Sequence, residues 1–257
     1  ITIDDTGDNG VVNQGTFDNT VNAQLNIGQN NDDVRIGIIN AASSVGFTNS
    51  GTITIDSTRI DGLLNEGTFT NQDNGKIQIG LVASINNAGI LNRRIFKQTG
   101  DTIKIANTGT VGINNQDSLI NAGLFIIENT TASGILNNME AVFINDSTIN
   151  VGTNNLPTGE NGIQNQGSGT DFQNNGTINI ERTSNNTVAI QNAAKGKFTN
   201  SVAAILNIGQ NDGSIAEDGI SNTDDSTTFF NLGVIHVDNT TNNGIVNQLG
   251  AAFNNAE

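Results

Sequence analysis

The stretch Gly62-Leu-Leu-Asn-Glu-Gly-Thr-Phe-Thr-Asn71, closed by Gly75-Lys-Ile-Gln-Ile79, decides the fold. It holds three short patterns, each with its key residues two apart. Alternation of that kind marks a half-buried strand, and none of the three has helical spacing. All three recur along the whole chain, and internal repetition of this sort decides the architecture before any other feature.

Gly-apolar-x-Asn occurs at Gly10 to Asn13, Gly37 to Asn40, Gly62 to Asn65, Gly89 to Asn92, Gly112 to Asn115, Gly134 to Asn137, Gly162 to Asn165, Gly219 to Asn222 and Gly244 to Asn247. Ala189 to Asn192 is the copy whose first residue differs. Phe-x-Asn follows each time, as at Phe17/Asn19, Phe47/Asn49, Phe69/Asn71 and on to Phe253/Asn255, with Gln98 and Leu119 as departures. An aliphatic-x-aliphatic pair closes the unit, from Ile1/Ile3 and Leu25/Ile27 to Ile235/Val237, with Phe125/Ile127 among them. The mean interval is about 26 residues. Between the patterns lie Gly, Asn, Asp, Ser and Thr, the turn formers. These features predict an all-β parallel β-helix, a β-solenoid of about ten coils with three short strands per coil. Stacking at about 4.8 Å would make a rod of about 48 Å, wound right-handed as parallel crossovers are. Residues 1–257 read as one such domain.

Stacking explains the residue types. Asn has donors and acceptors and can bond to its own copy one coil away. A charged residue at such a position would face its copies and repel them. Charged residues accordingly make up 14% of the chain, against roughly 25% in an ordinary domain. Phe offers stacked rings and a large buried area, and should face inward at positions 17, 47, 69, 96, 143, 172, 198, 229 and 253. The Gly before the first strand is expected to supply the positive φ of a tight corner. Long corners, headed by Ile-Gly or Val-Gly, run from Gly28, Gly80, Gly152 and Gly209; shorter ones are headed by Asp, Glu or Ala, as at Asp56, Ala106, Glu128, Glu181 and Asp238. They alternate over the first coils, which suggests a two-coil repeat with loops on one edge of the rod.

There is no Cys, so neither disulfides nor a redox compartment can be inferred. The net charge of −15 opposes nucleic acid and anionic membranes as partners. No apolar run reaches membrane-spanning length. The chain begins at Ile1, inside a coil, and ends just after a Phe strand. Joining tail to head nearly restores the internal sequence, so a slice of a longer array, or a subunit stacking head to tail into a filament, is expected.

The Gly-x-x-Asn-x-Gly-x-apolar-x-Asn unit resembles the repeats of bacterial surface adhesins of the filamentous haemagglutinin type. The likeness covers the whole chain, although the coils here are longer and more variable. It implies a secreted right-handed β-helix that serves as an adhesive or scaffold stalk without catalysis. The expectation is therefore a non-enzymatic extracellular or cell-surface fibre subunit, stalk or adhesin, with itself, and glycans or a cell surface, as partners. The alternative is a carbohydrate-active β-helix, either a polysaccharide lyase or hydrolase or a glycan-binding module.

No catalytic, cofactor or metal residues are assigned. His236 is the single histidine and should face solvent within Ile235-His-Val237. Acidic residues gather at Asp4, Asp5 and Asp8, at Asp32 and Asp33, at Glu217 and Asp218, and at Asp224 and Asp225, in no calcium-binding spacing; solvated loops are expected. Arg93, Arg94, Lys97 and Lys104 are close in sequence and are expected to form a basic patch, the feature a lyase would use. The sequons at Asn129, Asn145, Asn185 and Asn239 carry little weight in a chain so rich in Asn and Thr. Thr52/Thr54 is not repeated, which argues against a threonine face for ice binding. Finally, Val12, Ile39, Leu64, Leu91, Leu136 and Val246 should line up outside the first strands, as an apolar association row or under a covering bend.

Overall fold

The computed structural model describes residues 1–29, 34–184, 186–210 and 213–256. Among these there is no helix, and three parallel sheets of ten strands each run the length of the stack. The chain is a β-solenoid with three strands per coil. One coil consists of strands Leu63–Asn65, Thr68–Asn71 and Lys76–Ile79, each paired with its counterparts one coil below and above. Register is strict: Ile38, Leu63, Ile90 and Ile113 are successive Cα partners in the first sheet, and Phe47, Phe69 and Phe96 in the second. A one-residue slip would turn the core residues outward, so the inward Phe and Ile rows fix the register.

The rod's axis is filled by these rows. Phe47, Phe69, Phe96, Phe143, Phe172, Phe198 and Phe229 are fully buried, while Phe17 and Phe253 pack partly buried at either end. Their rings stack 4.5 to 5.0 Å apart in two columns, 17–47–69–96 and 143–172–198–229–253. Leu119 separates the columns. In the same coil Phe125 takes the place that Ile103 and Ile149 hold in the third sheet, and both Leu119 and Phe125 are fully buried. The large and small side chains have changed places within one cross-section, which conserves the volume that close packing requires.

Asparagine ladders line the corners. Asn13, Asn40, Asn65, Asn92, Asn115, Asn137, Asn165, Asn192, Asn222 and Asn247 form one: each Nδ2 donates to the Oδ1 of the next coil's Asn at 2.7 to 2.9 Å. A second runs beside the Phe sheet, from Asn19 through Asn71 to Gln98, and from Asn121 to Asn255. The amides also donate to corner carbonyls, as Asn65 does to Ile95 at 2.9 Å. Buried polar groups are tolerated only when bonded in this way.

The glycine before the first strand does not play the part expected of it. Gly10, Gly37, Gly62, Gly89, Gly112, Gly134, Gly162 and Gly219 all lack positive φ. They are required by contact instead. A Cβ on Gly62 would lie 2.7 Å from the carbonyl oxygen of Gly89 and 2.7 Å from Ile79 Cγ2. Positive φ falls at the other end of the corner, at Gly28, Gly80, Gly152 and Gly209 in the long loops. In shorter corners it moves one residue on, to Ser57, Asn107, Asn129 and Asn239.

Candidate functional site

The corner between the third and first sheets is the edge at which the loops headed by Gly28, Gly80, Gly152 and Gly209 begin, and its chemistry repeats over two coils. A carboxylate heads one corner and a Gly-headed loop follows in the next coil. Asp4 accepts from the backbone N–H of Gln29 at 2.8 Å, and Asp56 from that of Val82 at 3.0 Å. Glu128 accepts from the Thr153 hydroxyl, and from Asn154 Nδ2 at 2.6 Å. These acids are loop anchors. The alternation is broken at Ala106, which carries neither acid nor Gly, and resumes at Glu128. Two short corners therefore follow one another, between the long loops that begin at Gly80 and Gly152.

Asp56 and Glu128 are both about 1% exposed, so their charge needs compensation. Burial pushes the Glu128 carboxyl up, but the bonds from Thr153, Lys104 and Asn154, together with the Lys104 charge, outweigh it and hold the group below the usual range. The Lys104 Nζ to Glu128 Oε2 distance is 2.9 Å. At Asp61 burial prevails and pushes the carboxyl up, against the Ala88 N–H, Asn87 Nδ2 at 2.7 Å and the Arg93 charge.

Arg93, Arg94, Lys97 and Lys104 are not gathered on one face, since Lys97 and Lys104 stand on different sheets. Lys97 projects outward from the second sheet, in register with Thr70 and Ile120. Lys104 projects from the third, in register with Gln78 and Ile126. Arg93 pairs with Glu66 at 3.1 Å. Lys97 and Lys104 are separated because successive strands of one coil face different sides of the rod. His236 is exposed on its strand while Ile235 and Val237 point inward, as the alternation requires.

Among the acidic groups, Asp8 pairs with Arg35, Asp218 accepts from Asn243, and Asp224 accepts from the Ala194 N–H. Asp32 and Asp33 lie outside the described residues, as does Asn185. No group of three or more His, Asp or Glu positioned to hold a metal ion occurs among the described residues. Of the sequons, Asn145 is a fully buried ladder residue, whereas Asn129 and Asn239 are exposed at corners. No helix among the described residues is long and apolar enough to cross a membrane.

The outer apolar row exists in register, Val12–Ile39–Leu64–Leu91, but it is not a free stripe. Leu91 is buried with Ala88 and Val111, and Leu64, Ala132 and Leu136 pack against that cluster. Residues just ahead of the corner glycines fold over the row. Asn114 interrupts it, and Gln164, Gln191 and Ser221 continue it as a polar row before Val246.

Compared with protein-family models, curated proteins and solved structures, the chain matches none. The fold and its residue-level chemistry are therefore the ground for a functional reading.

Proposed function

We propose that this chain is a non-enzymatic structural rod of the extracellular or cell-surface kind: a fibre segment, stalk or adhesin scaffold, similar to solenoids of the filamentous haemagglutinin type. The observation that carries the reading is the investment of polar side chains in the stack itself. Two amide ladders and the inward Phe and Ile rows run through coil after coil, with one break in a ladder, where Gln98 Nε2 turns to the carbonyls of Gly100 and Asp101, and with the Leu119/Phe125 exchange in the core. Such a stack is stiff, and nearest-neighbour interfaces supply its stability. The buried carboxylates Asp56 and Glu128 hold loops, a structural use.

The proposal includes continuation of the stack head to tail, by further coils of this chain or of a second copy. The ladder Asn Nδ2 groups donate to the following coil, so Asn247 and Asn255 offer the next donors in line. Light scattering and electron microscopy of the purified chain test this; a dispersed monomer at high concentration argues against the second copy. The enzymatic alternative is tested by incubating the chain with a panel of neutral and acidic polysaccharides. Turnover that disappears in Arg94→Ala would overturn the structural reading.

A further inference from the structure

Where Ala106 breaks the two-coil alternation, the loop-bearing edge has a double gap. Long loops are two coils apart elsewhere, about 10 Å, but the pair beginning at Gly80 and Gly152 is three coils apart, about 14 Å. The gap holds a recess of about 450 Å³ walled by Val82, Ser84, Asn107, Thr108, Asn129 and Thr131. Its floor is a short surface ladder. Asn129 Nδ2 donates to Asn107 Oδ1 at 2.6 Å, and Asn107 Nδ2 donates to the Gly80 carbonyl at 2.6 Å. Thr131 donates to the Thr108 carbonyl at 2.9 Å. These bonds hold the floor rigid and leave acceptors on Asn129 and Thr131, together with the exposed Ser84 hydroxyl, directed to solvent.

From this arrangement we infer that the recess is a binding site for a short segment of neutral glycan. Every wall residue is uncharged, in a chain of net charge −15. The carboxylates behind the recess are already engaged, Glu128 by Lys104 and Asp56 by the Val82 N–H. A polyanion would be repelled by the rod's overall field, and a polycation would find its partners elsewhere on the acidic surface. What remains complementary is a ligand with closely spaced hydroxyls that both donate and accept, and an apolar C–H face to rest on Val82, which is 79% exposed. The chain has no Trp or Tyr, so no broad stacking platform supports the sugar ring. Single-site affinity is therefore weak, of order 1 mM, and becomes effective through many rods on one surface. The site deepens the adhesin part of the reading above and rests on it, whereas head-to-tail stacking is tested separately by light scattering, so that the two can fail apart.

The test is NMR titration of the purified chain with maltohexaose, cellohexaose, laminarihexaose and chitohexaose, alongside oligogalacturonate and a heparin hexasaccharide. The expected result is saturable binding of at least one neutral oligosaccharide, with shifts centred on Ser84, Asn107 and Asn129. Ser84→Glu should weaken it about tenfold or more, by placing a charge in the recess without removing a bond of the fold. Ser214→Glu, in the recess beside Arg182, should leave it unchanged. Circular dichroism verifies that both variants fold. Absence of neutral binding up to roughly 10 mM, binding of charged glycans alone, or binding indifferent to Ser84→Glu overturns the inference.

Discussion

Asn65 sits in the middle of a ladder, and replacing it by Asp tests the ladder's chemistry while hardly changing its shape. The native Oδ1 accepts from Asn40 at 2.8 Å, and the Nδ2 donates to Asn92 Oδ1 at 2.8 Å and to the Ile95 carbonyl at 2.9 Å. In Asn65→Asp the second oxygen takes the place of Nδ2 and faces two acceptors at those distances. When protonated, the new carboxyl can still donate to one of them. The other loses its partner, at a cost of about 1–3 kcal/mol. When ionised it donates to neither, and a charge enters a fully buried position. Its pKa must then rise above the unfolded value of about 3.9, and each unit of rise costs about 1.4 kcal/mol at neutral pH. The sign is definite: the variant loses least below pH ~3.9, loses progressively more as pH rises toward the raised pKa, and is constant beyond it. A rise of about three units adds about 4 kcal/mol. The measurement is urea unfolding of variant and parent at pH values spanning about 3.5 to 8. Taking differences at each pH removes titrations common to both. Asn65→Leu serves as the non-titrating control, with a constant penalty. A penalty for Asn65→Asp that is flat across the range would refute the account of the ladder as a chain of directed amide bonds.

Further expectations follow from the core, the corner and the loop anchor. Phe69→Ala removes a ring stacked on both faces and should cost about 3–5 kcal/mol by chemical denaturation. Leu119→Phe alone should overpack its coil by about 1–3 kcal/mol, whereas Leu119→Phe combined with Phe125→Ile should recover most of that loss in a double-mutant cycle. Gly62→Ala drives a methyl against the Gly89 carbonyl and should lower stability by about 1–3 kcal/mol, despite the usual gain from replacing Gly. Glu128 is held below its ordinary pKa, so its contribution is complete above pH ~4.3 and is lost as pH falls through the lower folded value. Glu128→Gln should therefore be less stable than the parent at pH 7, by about 1–3 kcal/mol, with the difference shrinking in acid when both are compared by thermal unfolding.

The three-strand coil and the inward Phe and Asn rows were legible in the sequence because a period of two, repeated in register, leaves few other ways to bury these residues. The recurring glycine is visible as a pattern, but its cause is not. Sequence marks where a side chain is excluded, but φ and steric contact exclude it equally, and only the neighbouring coil's carbonyl distinguishes them. Arg93 and Lys104 looked close for a similar reason: eleven residues are a short way along the chain, yet they turn a corner of the rod and separate the side chains onto different faces.

The acid-to-loop pairing was the least legible feature, and it bears most on the candidate site. Asp56 and Val82, or Glu128 and Thr153, are a whole coil apart, so no linear motif joins them. A signal was nevertheless present. The residue after the third strand alternates between carboxylate and Gly, and a carboxylate at a corner is costly unless the next coil supplies donors. Taken as a two-coil unit, Asp56/Gly80 and Glu128/Gly152 are complete, and the coil of Ala106 stands between them as a single unpaired turn. An acid at position 106 would have found no Gly-headed loop above it, because Glu128 occupies that level. Ala106, which is 4% exposed, meets that constraint with a small side chain that needs no partner. The same physical rule that keeps the rod's loops anchored thus requires the odd coil to be short and uncharged at its corner, and a short, uncharged corner is what opens the recess at Asn107 and Asn129.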